Sequence, residues 1–268
     1  SMVIHDSTTG DLHKWIRDYY KCKPVNFVIM DGLQGIQNGP TPSYSMSRTT
    51  DIAQDQMNMR LILASKDPVA IDTIESLVIG WDPQSVGYLN YLNNDSLGNL
   101  DTACITVVGK KVDEVRKDFA GRIPPAGGAK ITDKTPPSLA INSVSVQGTT
   151  LNLSLTTASE TVKAEVYIDG QLREPAIISN FSNISLDISN LSSGNHTLAV
   201  NIYDRFLNRT EQTTTFSNST TTSHYMAPRA SQAPVIDGSG NDSCWAQASW
   251  QNINYLWLGT APTATDFT

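Results

Sequence analysis

The rhythm of apolar and polar positions changes twice along this chain. Up to about residue 130, apolar residues recur at helical spacing or in short continuous runs. From Ser138 to about Ser217 they alternate with Ser, Thr and Asn, the period-2 pattern of half-buried strands. Joints rich in turn residues separate the zones: Ile123–Gly128 with Asp133–Pro137, then the polar run Asn218–Ser223.

In the first zone Asp11–Tyr20 predicts a helix, with Leu12, Trp15, Ile16 and Tyr19 on one face. Val25–Met30 is a continuous apolar run, the pattern of a strand buried on both faces, and it ends at Asp31-Gly32. A loop with Gly32, Gly35, Gly39, Pro40 and Pro42 follows, then a second buried strand over Arg60–Ser65. Asp67-Pro68 starts a helix, with Asp as N-cap and Pro at the first helical position. Ile71, Ile74, Leu77 and Val78 give it a buried face, and Gly80 ends it. Asp82-Pro83 repeats the start signal for a helix to about Asn93, and Ile105–Val108 predicts a third strand.

In the second zone Leu139–Val146, Leu151–Leu155, Val162–Ile168, Ile184–Ile188 and His196–Tyr203 all alternate, and Asp169-Gly170 is a hairpin signal. Turns at roughly ten-residue intervals point to an immunoglobulin-like sandwich, and the missing Cys…Trp…Cys core excludes the antibody type. The last zone opens on Pro234–Trp245, where an apolar pair runs into Asp237-Gly238 and a small polar loop before Trp245 and Trp250. The predicted architecture is multi-domain. An incomplete α/β module spans 1–130, an all-β immunoglobulin-like sandwich 138–217, and a truncated β module 233–268. The start at Ser1-Met2-Val3 and the end at Thr268 both fall in mid-pattern, as in part of a longer protein.

Composition narrows the function. Of 268 residues 39% are hydrophobic and 17% charged, which fits folded modules. The net charge of −7 disfavours nucleic acid, which needs a basic face. Lys110-Lys111 and Arg116-Lys117 are interleaved with Asp113, Glu114 and Asp118, the pattern of a solvated helix face. No apolar run reaches the length of a membrane span. Cys22, Cys104 and Cys244 form no C-x-x-C, so they read as buried thiols before a metal site or a disulfide.

The best site candidate is the loop Asp31–Pro40. Glycines Gly32, Gly35 and Gly39 let backbone N–H groups approach a ligand closely, and Asp31 and Asn38 offer oxygen atoms. Asp31 would sit at the carboxyl end of a strand, where α/β sheets bind ligands. The alternative is a glycine-rich connection whose Asp caps a turn. Ser65, Asp67 and Asp72 form a second constellation around the start of a helix: a carboxylate pair for acid–base chemistry, or an N-cap and a dipole-favoured acid. The candidate catalytic groups are thus Asp31, Asp67 and Asp72, with Gly32, Gly35, Asn38, Gly39 and Ser65 as ligand-binding positions. His5 and His13 lack a third ligand nearby in sequence and read as surface or cap positions, so no metal site is assigned. No cofactor is assigned either.

Three resemblances add to this reading. The strings Val28–Gly32 to Asn38–Pro40, Leu63–Asp72 and Leu97–Asp101 resemble the C-terminal half of the prokaryotic family called domain of unknown function 362. That resemblance implies that Asp31, Asp67 and Asp72 matter, and it assigns no reaction. Gly194–Asp204 resembles the late strands of bacterial immunoglobulin-like modules, with Arg205-Phe-Leu-Asn208 standing where a Gly-Asn turn is usual. Pro234–Trp245 resembles the opening of carbohydrate-binding modules of family 9, in which the early Trp is a core anchor. Trp245, Trp250 and Trp257 therefore read as core residues before sugar-stacking ones. Together the resemblances imply an exported, extracytoplasmic bacterial protein that binds or processes a polysaccharide or oligosaccharide. The alternative is a redox- or metal-linked enzyme whose activity lies in the N-terminal module, the rest being spacer and targeting parts.

Overall fold

The computed structural model describes residues 11–37, 55–120 and 128–219. All of these belong to one compact unit, Ser1–Thr220. Its N-terminal region is a small α/β assembly, and its C-terminal region is a sandwich of two antiparallel sheets.

Helix α1 spans Leu12–Cys22, capped by Asp11, whose carboxylate accepts from His13 N at 3.0 Å. Its apolar face exists as the spacing predicts, yet no residue of α1 is buried, and Tyr19 is 62% exposed. Strand β1, Val28–Ile36, pairs antiparallel with β2, Gln56–Ser65, in a two-stranded sheet. The strand predicted to stop at Asp31-Gly32 therefore runs on through both residues and through Gly35. A register shift between Gly32 and Gln34 sets Leu33 alone against Met59 and Arg60, so the extra residue lies on β2, where Arg60 has a positive φ of 52°. Nor is the apolar run buried on both faces. Met30, Met59, Leu61 and Leu63 face inward, whereas Ile29 and Ile62 are 66% and 62% exposed. A continuous apolar run permits two buried faces but does not supply the second cover.

Helix α2, Pro68–Val78, packs on β2 and buries Val69, Ala70, Ile71, Ile74, Leu77 and Val78. The predicted helix from Asp82 is split into a 3-10 turn, Pro83–Ser85, and helix α3, Gly87–Asn94. A 3-10 turn at Thr102–Cys104 and the short helix α4, Val112–Val115, complete the region. Ile105–Val108 forms no strand. Its carbonyl groups go elsewhere: Ile105 O accepts from Lys163 Nζ at 2.8 Å and Val107 O from Lys111 Nζ at 2.7 Å. Cys22 and Cys104 are free and exposed rather than buried, one at the end of a helix without a buried face, the other in a surface turn.

The sandwich has seven strands: β3 Leu139–Gln147, β4 Thr150–Thr157, β5 Lys163–Ile168, β6 Gln171–Ile177, β7 Asn183–Asp187, β8 Gly194–Tyr203 and β9 Arg209–Asn218. One sheet has the order β3-β4-β7, the other β6-β5-β8-β9. Leu151, Leu153, Leu155, Val166, Ile168, Leu198, Val200 and Ile202 fill the space between them. At the β5–β6 turn Asp169 and Gly170 both have positive φ, 51° and 77°, the two-residue turn that their identities favour. Strands β6 and β9 were not legible as alternating runs. β9 carries Thr210, Gln212 and Thr214 where an inward residue would otherwise be apolar, and only Phe216 is a large buried hydrophobe.

The two regions share a core. Tyr203, Phe206 and Leu207, at and just after the end of β8, pack with Ala70, Ile74, Leu77 and Val78 of α2, and with Ile105, Val112 and Ile131. Asp204 shapes the turn: its Oδ1 accepts from Phe206 N at 2.8 Å and Asn208 N at 2.9 Å. Arg116 reaches across, donating to Asn208 Oδ1 at 2.6 Å, to Leu77 O at 3.1 Å and to Phe206 O. The outer face of β5 is buried as well. Lys163 and Glu165 are each 1% exposed, and Glu165 accepts from Lys111 at 3.2 Å, Tyr167 OH at 2.7 Å and Tyr203 OH at 2.8 Å. Strand alternation in the sequence marks this face as polar; only its cover makes it interior.

Candidate functional site

Two grooves flank α2. One, of about 230 Å³, runs under the β1–β2 hairpin and is lined by Met30, Asp31, Gly32, Gly35, Met59, Leu61, Glu75, Val78 and Phe119, among others. The other, of about 220 Å³, lies between β2, α2 and the Ile105–Val108 segment, with Ser65 on its wall. The residues singled out in sequence are thus divided between two places.

Asp31, Gly32 and Gly35 line the first groove from the middle of a strand, not from the end of one. The Asp31 side chain is on the exposed side of the sheet, and its Oδ1 accepts from Leu33 N at 2.9 Å, within β1 and opposite the β2 bulge. Gly35 is there for close approach: a Cβ on it would stand 2.5 Å from Phe119 Cζ. Asn38 and Gly39 lie outside the described residues, as do His5, Cys244 and the tryptophans from Trp245 onward.

Asp67 is fully occupied in capping. Its Oδ1 accepts from Val69 N at 2.8 Å and Ala70 N at 3.0 Å, and its Oδ2 from Asn99 N at 2.8 Å. Ser65 Oγ in turn accepts from Asp67 N at 2.9 Å. These two residues join the end of β2, the start of α2 and the 98–99 turn, and leave little capacity for a ligand.

Asp72 behaves differently. Burial pushes its carboxyl above the ordinary carboxylate range, and the Tyr88 hydroxyl, donating to Oδ2 at 2.9 Å, pulls the other way. One turn along the same face, Glu75 is also pushed up, first by burial and then by the nearby Asp72. Tyr88 is raised strongly by burial and by the same two carboxyl groups, so it stays a hydroxyl donor. His13 stacks on Tyr88 with ring centroids 6.0 Å apart, and its buried Nδ1 has no hydrogen-bond partner. The structure therefore joins Asp72 to Glu75, Tyr88 and His13, not to Asp67. Glu75 is the site residue that the sequence reading missed. The legible signal was an acid three residues after Asp72, on a helix whose neighbouring positions are apolar.

Among the described residues no group of three or more His, Cys, Asp or Glu side chains is placed to hold a metal ion. No helix among them is long and apolar enough to cross a membrane. What the arrangement offers is a carboxyl pair with raised affinity for protons, one member of which opens on a mainly apolar groove.

By fold and site the unit is an α/β region with a groove, joined through a common core to a seven-stranded sandwich. Its first part is similar to one known family: residues 1–76 match the model described as Domain of unknown function (DUF362). No curated protein matches the chain. Among solved structures, the spore cortex lytic enzyme SleM of Clostridium perfringens is similar at 12% identity and a TM-score of 0.29, over 37% of this chain and 37% of that one. The chain thus spans little more than a third of that enzyme. The PKD1 domain of Epp from Vibrio anguillarum is similar at 12% identity and a TM-score of 0.25, over 32% of this chain and 95% of that domain. The PKD1 domain of the metalloprotease PrtV from Vibrio cholerae is similar at 13% identity and a TM-score of 0.26, over 32% of this chain and all of that domain. Likenesses at this level assign no function.

Proposed function

We propose that the chain belongs to an extracytoplasmic bacterial protein that binds or processes polysaccharide, its α/β region and immunoglobulin-like sandwich being followed by the start of a carbohydrate-binding module. The observation behind this reading is the Pro234–Trp245 segment, which resembles the opening of carbohydrate-binding modules of family 9 and follows an alternating, Ser/Thr-rich sandwich. Glycan-array binding by the natural full-length protein is the test. Retention on at least one polysaccharide is expected, and no binding to any would sink the proposal.

A second reading places a redox- or metal-linked activity in the N-terminal region. Its support is the Asp72–Glu75 pair beside the groove, groups suited to proton transfer or to a hard cation. Metal and flavin analysis of the natural protein, repeated on Glu75→Gln, tests it. A cofactor lost in the variant supports it; a natural protein without metal, flavin or cluster counts against it.

A further inference from the structure

We propose that His196 is a pH-sensitive latch at the end of the sandwich where strand β9 finishes. His196 is 6% exposed, near the start of β8, and its ring stacks on Phe216 of β9 with centroids 5.5 Å apart. Its two ring nitrogens face two acceptors. Nδ1 is 2.6 Å from Asp169 Oδ2, and Nε2 is 2.9 Å from the carbonyl oxygen of Ser192. A carboxylate and a peptide carbonyl have no proton to give. Both nitrogens must therefore donate, which only the imidazolium does.

The acceptors are themselves held. Asp169 sits in the β5–β6 turn, where its Oδ1 accepts from Thr197 N at 2.9 Å and Thr197 Oγ1 at 3.1 Å. The Ser192 carbonyl also accepts from Asn218 Nδ2 at 3.0 Å, and that amide reaches Leu191 O at 3.3 Å. One carbonyl thus gathers the start of β8, the β7–β8 connection and the last residue of β9. The charged groups acting on His196 are Asp169, which favours the imidazolium, and Arg173 of β6, which opposes it. Its neighbours Phe216 and Asn218 on β9, and Leu191 and Ser192 before β8, do not titrate.

The sign follows from these contacts. The hydrogen bond to Asp169, then that to the Ser192 carbonyl, raise the imidazole above its ordinary value. The latch is fully closed below the unfolded value of about 6.5 and is lost as pH rises through the higher folded value. A neutral ring keeps Nδ1–H for the carboxylate, so the Nε2 lone pair is left facing the Ser192 carbonyl. Repulsion there frees the β7–β8 connection and removes one of the two donors to the Ser192 carbonyl, leaving that of Asn218.

The test is a nitrogen-15 NMR titration of His196 in the full chain from pH 5.5 to 9.5, with hydrogen exchange of the Ser192–Asn195 amides corrected for intrinsic rate. Both ring nitrogens are expected to be protonated at pH 7. Protection of those amides should fall by about tenfold per unit of pKa shift as the ring titrates. Asp169→Asn should move the titration and the opening together to lower pH. A ring that is neutral at pH 6.5, or amide protection unchanged through the titration, would overturn the proposal. Should Asp169→Asn fail to fold, the titration of the natural protein decides alone.

Discussion

Asp67 and Glu75 stand two turns apart on α2, and their surroundings assign them opposite roles. Three backbone N–H groups converge on Asp67, so its removal strands donors that burial keeps from water. Asp67→Ala is expected to cost about 2 kcal/mol in urea unfolding, the upper end of N-cap losses; a cost near zero would remove the capping role. Glu75 has the reverse signature. Its carboxyl is raised by burial, so the folded chain holds a proton that the unfolded chain releases. The stability this group contributes is complete below about pH 4.3, its unfolded value, and is lost as pH rises through the higher folded value. Glu75→Gln should therefore unfold at higher urea than the natural chain at pH 7, and the advantage should vanish near pH 4. An equal advantage at both pH values would mean the carboxyl is not protonated by its surroundings. The sequence marked Asp67 as a cap from Asp-Pro and the following helix. It also showed Glu75 as an acid on an otherwise apolar helix, but not its burial, which depends on β2 and Phe119 around the same groove.

At the scale of elements, the β1–β2 hairpin is where sequence and structure part. The apolar runs Val25–Met30 and Arg60–Ser65 mark the strands, but not their partner, direction or cover. The glycines after Asp31 read as a loop, since Gly usually punctuates a strand. Here Gly32 and Gly35 continue it, and the inward side of β1 leaves no room for a side chain at Gly35 once Phe119 is in place. Gly35→Ala is expected to destabilise the unit by about 1–3 kcal/mol through overpacking, measured by denaturant unfolding. Phe119→Leu in the same chain should relieve part of that loss; an additive outcome would show that the two positions do not meet.

At the scale of the molecule, the turn after β8 decides how the regions behave. Phe206 and Leu207 are 5% and 2% exposed within a core that α2 also lines. Phe206→Ala is expected to cost about 3–5 kcal/mol. The loss should appear in hydrogen exchange of the α2 amides, which reports the α/β region, and equally in that of the β5 and β8 amides of the sheets. A variant that shifts one signal and leaves the other in place would show two independent folding units. In the turn Arg205-Phe-Leu-Asn208, Phe206 and Leu207 supply apolar side chains to the shared core. A Gly-Asn pair would make the turn but would bring no apolar side chains to the shared core.

Local elements were legible in the sequence alone: the caps at Asp67 and Asp82, the Asp169-Gly170 hairpin, and the inward face of each alternating strand. These follow from backbone preference and side-chain period, which neighbouring residues settle among themselves. What covers the other faces is set by packing between distant parts of the chain. Lys163 and Glu165 read as solvent-facing and are interior because the 105–118 stretch lies on them, while Ile29 and Ile62 read as interior and face outward. Burial is set by contacts between residues distant in sequence, and no local period encodes them.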